Sequence, residues 1–417
     1  MHCIHKFGYF LANTAVLTLL TTGAFANTIH VPQDQPGIQA AINAAAAGDT
    51  IVVAPGTYHE SLDWENKDLN LQGAGAAQSI IDPSSANGGP GGACLLIQNL
   101  TASSRVDGFT FQDGTNSFGG GVSNNGSNPT ISNCTFTNNH GALGGGIYNT
   151  NSSPTILNCT FTNNTAQFGG GMYNNLSNSV VTNCILWGNS APSGNGIYNS
   201  TGSPVVTFSD VQDLSNTTPD ANGNFAADPL FVRNPGTNGA NDYGDLHLHV
   251  GSPAIDAGKN AALPADTADL DHDGDTTEAL PLDLDGNPRI SHALIDLGAY
   301  EYQAPPTEVT GSISIKASGF TAAGGTNYTQ TLTITNTGTS AINGPIYLLL
   351  DNLGGANVQL VNRSGTTLLL APTGRPYLTL NGSLAAQGSV KVILKFSNPN
   401  RTLISCTPRL FAGTGSL

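Results

Sequence analysis

Three consecutive stretches decide the fold: GGGVSNNGSNPTISNCTFTNNHGAL (residues 119–143), GGGIYNTNSSPTILNCTFTNNTAQF (144–168) and GGGMYNNLSNSVVTNCILWGNSAPS (169–193). They align in steps of 25 with no insertion. Cys134, Cys159 and Cys184 hold that step, as do Asn124, Asn149, Asn174 and Asn199, and Phe111, Phe136, Phe161 and Leu186. A fixed period without gaps marks a solenoid, whose units bury a core only by stacking on their neighbours.

The unit is not helical, because its glycines, asparagines and proline all oppose a helix. Nor does it contain the L-x-x-L-x-L of a leucine-rich repeat. β-branched and aromatic residues alternate between turn residues, which is strand chemistry. Cys134 and Phe136 share one parity and point inward, while Ile131 has the opposite parity. The chain therefore bends between Ser132 and Asn133. A bend in every unit gives a coil, and successive coils stack about 4.8 Å apart as parallel strands, with Asn on Asn in amide ladders. Six does not divide 25, which disfavours a left-handed hexapeptide helix, so the pattern reads as a right-handed parallel β-helix. The tyrosines 148, 173 and 198 alternate with an inward aliphatic set. Tyr148, Tyr173 and Tyr198 therefore form an outward ladder able to meet sugar rings or a partner strand.

The pairing of GGGIYN with FTNN resembles the polymorphic outer-membrane-protein repeat of secreted bacterial β-helices. That resemblance implies a pectate-lyase-like fold and no defined activity. Upstream, Pro36 to Ala47 carries Ile38, Ala41, Ile42 and Ala45 on one helical face. With GDTIVVAPGTY after it, this stretch is similar to the N-terminal cap of secreted β-helices. Residues 227–302 resemble the C-terminal coils of the choice-of-anchor Q surface family. TNTGTSAINGPI (335–346) resembles accessory Ig-like domains of bacterial exoproteins. Short alternating strands from Val309 onward read as an Ig/fibronectin-III-like β-sandwich.

Lys6, the apolar run Leu11 to Leu20 and Ala24-Phe25-Ala26 form a secretory signal peptide. The run falls short of the roughly 20 residues needed to span a membrane, and no later segment is long and apolar enough. The expected organisation is signal peptide 1–26, β-helix 27–303, linker 304–308 and β-sandwich 309–417. Of the six cysteines, Cys3 leaves with the signal, the ladder thiols are small buried hydrophobes, and Cys94 and Cys406 are left unpaired. A formal net charge of −15 argues against nucleic acid, whose binding needs basic patches.

From Gly114 to Ser209 there is no Asp, Glu, Lys or Arg. The regular coils thus lack the carboxylates or bases of polysaccharide cleavage, His140 apart. Candidates remain on the early coils: Arg105, Asp107 and Asp113, and the turn residues His59, Glu60, Asp63, Glu65 and Lys67. Asp269, Asp271, Asp273 and Asp275, with Gly274 and the nearby Glu278, resemble the opening of a calcium loop, although Leu280 stands where a bidentate Glu belongs. Ca²⁺ is the expected ion. Asp245, His247 and His249 are zinc-binding residue types on one strand face, without a fourth ligand. The sequence therefore reads as a non-catalytic secreted or cell-surface protein that binds extracellular polysaccharide or another surface. The alternative is a polysaccharide lyase or glycoside hydrolase with its site on the early coils.

Overall fold

In a computed structural model, the 25-residue unit closes one turn of a right-handed parallel β-helix. The structure describes residues 26–413 other than 75–78, 85–90, 239–241, 267–273, 276, 281, 292, 356, 368–373 and 381. The signal-peptide reading falls on residues outside that range.

The regular coils contribute strands to three parallel sheets of eight, seven and six strands, with a further two-stranded parallel pair beside them. The first runs from Thr28–Val31 through Arg105–Asp107, Thr130–Ser132 and Val180–Thr182 to Val205–Thr207. The second runs from Gly56–Tyr58 through Phe109–Gln112 and Thr160–Thr162 to Asp210–Val211. The third runs from Leu62–Glu65 through Val122–Asn125 and Met172–Asn175 to Ile197–Asn199. The register follows the repeat: Phe136 lies beside Phe111 and Phe161, and Ile147 beside Val122 and Met172.

The bend is where the alternation placed it. Asn133, Asn158 and Asn183 have φ of 49°, 50° and 56°, the left-handed region that Asn tolerates better than most residues. Inside, Phe111, Phe136 and Phe161 are fully buried and stacked, with centroids 5.0 and 4.4 Å apart. Two amide ladders run beside them. Asn124 Nδ2 donates to Asn149 at 3.0 Å and Asn149 to Asn174 at 3.0 Å. Asn139 donates to Asn164 at 3.0 Å and Asn164 to Asn189 at 2.9 Å. The glycines are forced at this turn: Gly144 has φ +68°, and a Cβ on Gly145 would lie 2.4 Å from the carbonyl oxygen of Gly170. Cys94, Cys134, Cys159, Cys184 and Cys406 are all free, and burial pushes the Cys159 thiol well above its ordinary range.

The capping helix spans Ile38–Ala44, shorter than the expected Pro36 to Ala47, and buries Ile38, Ala41 and Ile42. Its packing contacts are with Thr28–Val31, Thr50–Val53 and Leu62–Glu65, the strands at the start of the solenoid. There it covers an end whose edges would otherwise be open.

One correction concerns residues 227–302, where further coils were expected. Among the described residues no strand after Val211 joins the parallel sheets. Lacking the periodic Phe, Cys and Gly positions, Asp256–Tyr300 instead lies along the side of the coils. Gly298 N–H donates to Asn183 O at 2.8 Å, Ala299 N–H to Thr160 Oγ1 at 3.0 Å, and the fully buried Arg289 to Asn133 Oδ1 at 2.5 Å. It packs on Thr160 and Ile185 at the outer face of the second sheet, where the outward row Thr110, Thr135, Thr160, Ile185 and Asp210 is buried throughout.

This segment groups with the β-helix, whereas Pro229–Asn234 and Asp245–Ile255 group with Glu301–Leu417 in a second unit. In that unit Phe231–Arg233 pairs antiparallel with Asp245–Leu248. Two antiparallel sheets follow, built mainly on Ile346–Gly354 with Ser405–Ala412 and on Asn327–Asn336 with Ser389–Ser397. Ile334, Leu348, Leu350, Leu394, Phe396 and Leu410 form their shared core, a β-sandwich. Thr307 and Glu308, at the end of the expected linker, already pair with Ala412 and Phe411.

Candidate functional site

The early-coil candidates are occupied with structural work. Arg105 and Asp107 stand outward on the first sheet, yet both are buried. Arg105 Nη2 lies 3.6 Å from Asp107 Oδ2, and its Nη1 donates to Ala265 O at 3.2 Å. Asp107 also accepts from Ser132 Oγ, 25 residues on. Asp113 sits in a left-handed turn with φ 55°, the position held one coil later by Asn138. It accepts from Asn138 Nδ2 and from the Tyr243 hydroxyl. Burial, and then the Asp113 carboxylate, raise the Tyr243 phenol well above its ordinary value. Asp82 accepts from Gln112 Nε2 at 3.2 Å close by.

The turn candidates hold the capping helix. No side chain of the helix's own entry segment caps it. Instead, Glu60 Oε1 and Oε2 accept from the N–H groups of Ile38 and Gln39, both at 2.9 Å. At the other end Lys67 Nζ donates to the carbonyls of Ile42 at 2.6 Å and Ala45 at 3.0 Å. A carboxylate at the N-terminus and an ammonium at the C-terminus both favour the helix dipole. His59 Nδ1 lies 3.1 Å from Asp82 O, and Gln39 Oε1 accepts from Asp63 N–H at 2.7 Å. The side chain of Glu65 lies outside the described residues.

The third sheet presents an aromatic outer face. Tyr148, Tyr173 and Tyr198 are in register with Ile147, Met172 and Ile197 beside them turned inward. Neighbouring tyrosine rings are stacked at 5.5 Å and 16°. The rings therefore face one another along the axis, with Tyr148 and Tyr198 half-buried and Tyr173 between them buried. A second row, absent from the sequence reading, runs alongside: Phe118, Leu143 and Phe168, aligned by strand pairing and a bridge. Phe118 packs at 5.2 Å on Tyr148 and Phe168 at 5.1 Å on Tyr198. Phe118 and Phe168 remain 49% and 37% exposed. Their 25-residue spacing was the available signal, masked because the spacer ends in Phe, Leu, Phe and Ser in successive coils.

Asp269, Asp271 and Asp273 lie outside the described residues. Asp275 accepts from the N–H of Thr277 at 2.9 Å and from its hydroxyl at 2.7 Å, and Glu278 O accepts from Asp266 N–H at 2.8 Å. His247 Nδ1 contacts Asp245 Oδ1 at 2.5 Å, while His249 Nδ1 lies 3.0 Å from Val250 O. Among the described residues no three His, Cys, Asp or Glu side chains converge to hold a metal.

Asp210, at the end of the second sheet, was not singled out in the sequence. Its carboxyl is fully buried and accepts from Ala227 N–H at 3.1 Å. Burial, opposed by that hydrogen bond and reinforced by Asp228, pushes its pKa up to about 8.

The family model for a right-handed beta helix region matches residues 71–212. A comparison with curated proteins gives no match. No helix among the described residues is long and apolar enough to cross a membrane.

Proposed function

We propose that this chain is a secreted or cell-surface protein whose β-helix binds an extracellular polysaccharide or another surface without cleaving it. One observation carries the reading. The outer face of the third sheet offers an ordered aromatic strip, while Arg105 and Asp107 are buried beneath Asp256–Tyr300. A glycosidase or lyase needs its acid and base within reach of the scissile bond. The coils beneath the strip supply no Asp, Glu, Lys or Arg from Gly114 to Ser209. The signal-peptide pattern at residues 1–26 supports export, with Ca²⁺ on the acidic stretch from Asp266 as an accompanying ion.

Two measurements test the reading. N-terminal sequencing of the exported protein should begin at Asn27. Incubation with pectin, polygalacturonate and alginate, with and without Ca²⁺, should leave chain length unchanged while the protein cosediments with insoluble wall polysaccharide. Turnover that Asp113→Ala abolishes would establish the enzyme alternative instead.

A further inference from the structure

We infer that the strip formed by Phe118, Leu143, Phe168, Tyr148, Tyr173 and Tyr198 binds a neutral polysaccharide chain lying along the helix axis. The inference rests on the binding function proposed above and names its ligand class.

Size argues against a second copy of this chain. Three coils at about 4.8 Å each give a strip ~15 Å long, on the order of a few hundred Å², against about 800 Å² per partner in a stable interface. Strand topology argues against an extended peptide. The strands that carry Tyr148 and Tyr173 pair with coils on either side, and Ile197–Asn199, which ends the sheet, lies at the end of the strip, so along its length this face offers no free ladder for strand addition. A narrow occupant that needs no backbone pairing remains.

Charge selects among glycans. No Asp, Glu, Lys or Arg lies between Gly114 and Ser209, so apart from His140, histidine being ordinarily neutral above about pH 6.5, the coils under the strip have no charge to pair with uronate or sulfate groups. The chain's net charge of −15 repels polyanions at longer range.

The two rows divide the chemistry. The tyrosine faces are already stacked on one another at 5.5 Å and Tyr173 is buried between its neighbours, which leaves the half-buried Tyr148 and Tyr198 to exchange hydrogen bonds with sugar hydroxyls. Phe118 and Phe168 keep exposed ring surface for the apolar faces of pyranose rings. The tyrosine row repeats in every coil and the phenyl surface in every second one, with Leu143 between, so the contacts recur along the axis for a repeating ligand.

Affinity electrophoresis of the full chain tests this, in gels containing glucomannan, hydroxyethylcellulose or mixed-linkage glucan, and in gels containing polygalacturonate or alginate. Retardation is expected in neutral gels and not in acidic ones. Phe118→Ala combined with Phe168→Ala should weaken it at least tenfold with an unchanged melting curve, since both rings are surface-exposed. Retardation only in acidic gels, or neutral binding that survives the double substitution, overturns the assignment of this strip while leaving a binding function standing. No retardation in any gel, together with no cosedimentation, overturns both.

Discussion

Asp210→Asn should change the pH dependence of stability in a direction fixed by the buried carboxyl. Below pH 3.8, the ordinary value, the group is protonated whether the chain is folded or unfolded, so it contributes no slope. Between 3.8 and about 8 the unfolded chain has released the proton and the folded chain retains it. The native state then binds more protons, and stability falls as pH rises, by about 1.4 kcal/mol per unit. Above about pH 8 the folded group ionises too and the loss levels off. Integrated over that window, the destabilisation is on the order of 6 kcal/mol. Asparagine keeps the shape and an oxygen for Ala227 N–H, and it does not titrate. The assay is urea unfolding of both proteins from pH 4 to pH 9, followed by a probe of the β-helix. The stability difference should be small at pH 4, widen in favour of the variant through pH 7, and level off between pH 8 and pH 9. A difference independent of pH would refute a buried, proton-retaining Asp210, and so would one that widens toward acid.

Phe161→Ala should destabilise the β-helix by about 3–5 kcal/mol, because it removes a fully buried ring stacked at 4.4 Å on Phe136; a near-neutral denaturation midpoint would contradict the interior stack. Glu60→Ala should lower stability by about 1–2 kcal/mol through loss of both acceptors at the helix N-terminus. Glu60→Gln should recover part of that loss, whereas equal melting of all three proteins would remove the capping role. For the proposed calcium ion, binding to the folded state alone contributes about 2.7 kcal/mol at a hundredfold excess over Kd. Millimolar Ca²⁺ should therefore raise the melting temperature and EDTA lower it, with the difference lost in Asp271→Ala/Asp273→Ala; coincident curves would leave that stretch simply solvated.

The coils were legible because their determinants repeat at the distance over which they act. Asn133 adopts the left-handed bend, Phe136 stacks on Phe111 and Phe161, and Asn124 donates to Asn149, each contact made with the residue 25 positions away. The sandwich strands Ile346–Gly354 and Ser389–Ser397 were visible from alternation. Ser405–Ala412 was not, because Pro408 and Arg409 interrupt its apolar pattern. Pro408 is tolerated there because Thr307–Glu308 pairs only with Phe411 and Ala412, leaving the strand without a described neighbour on that side at Pro408.

The candidate site was legible only in the row that obeys the period. Tyr148, Tyr173 and Tyr198 recur identically, whereas Phe118 and Phe168 are separated by Leu143 and vanish into a variable spacer. The charged candidates stayed ambiguous in the sequence for the opposite reason, since several of their partners lie far off the period. Arg105 meets Ala265, 160 residues away, and Asp113 meets Tyr243, 130 residues away. Glu60 meets a helix 22 residues before it in the chain. A charge in a short segment looks catalytic until its distant partner is known, because ion pairing, capping and acid–base chemistry all use the same side chains. What separates them is coverage. Asp256–Tyr300 packs on the outer face of the second sheet and reaches Arg105 on the first. Beside the third sheet Phe118 and Phe168 stay open to solvent, and the proposed binding function uses that face.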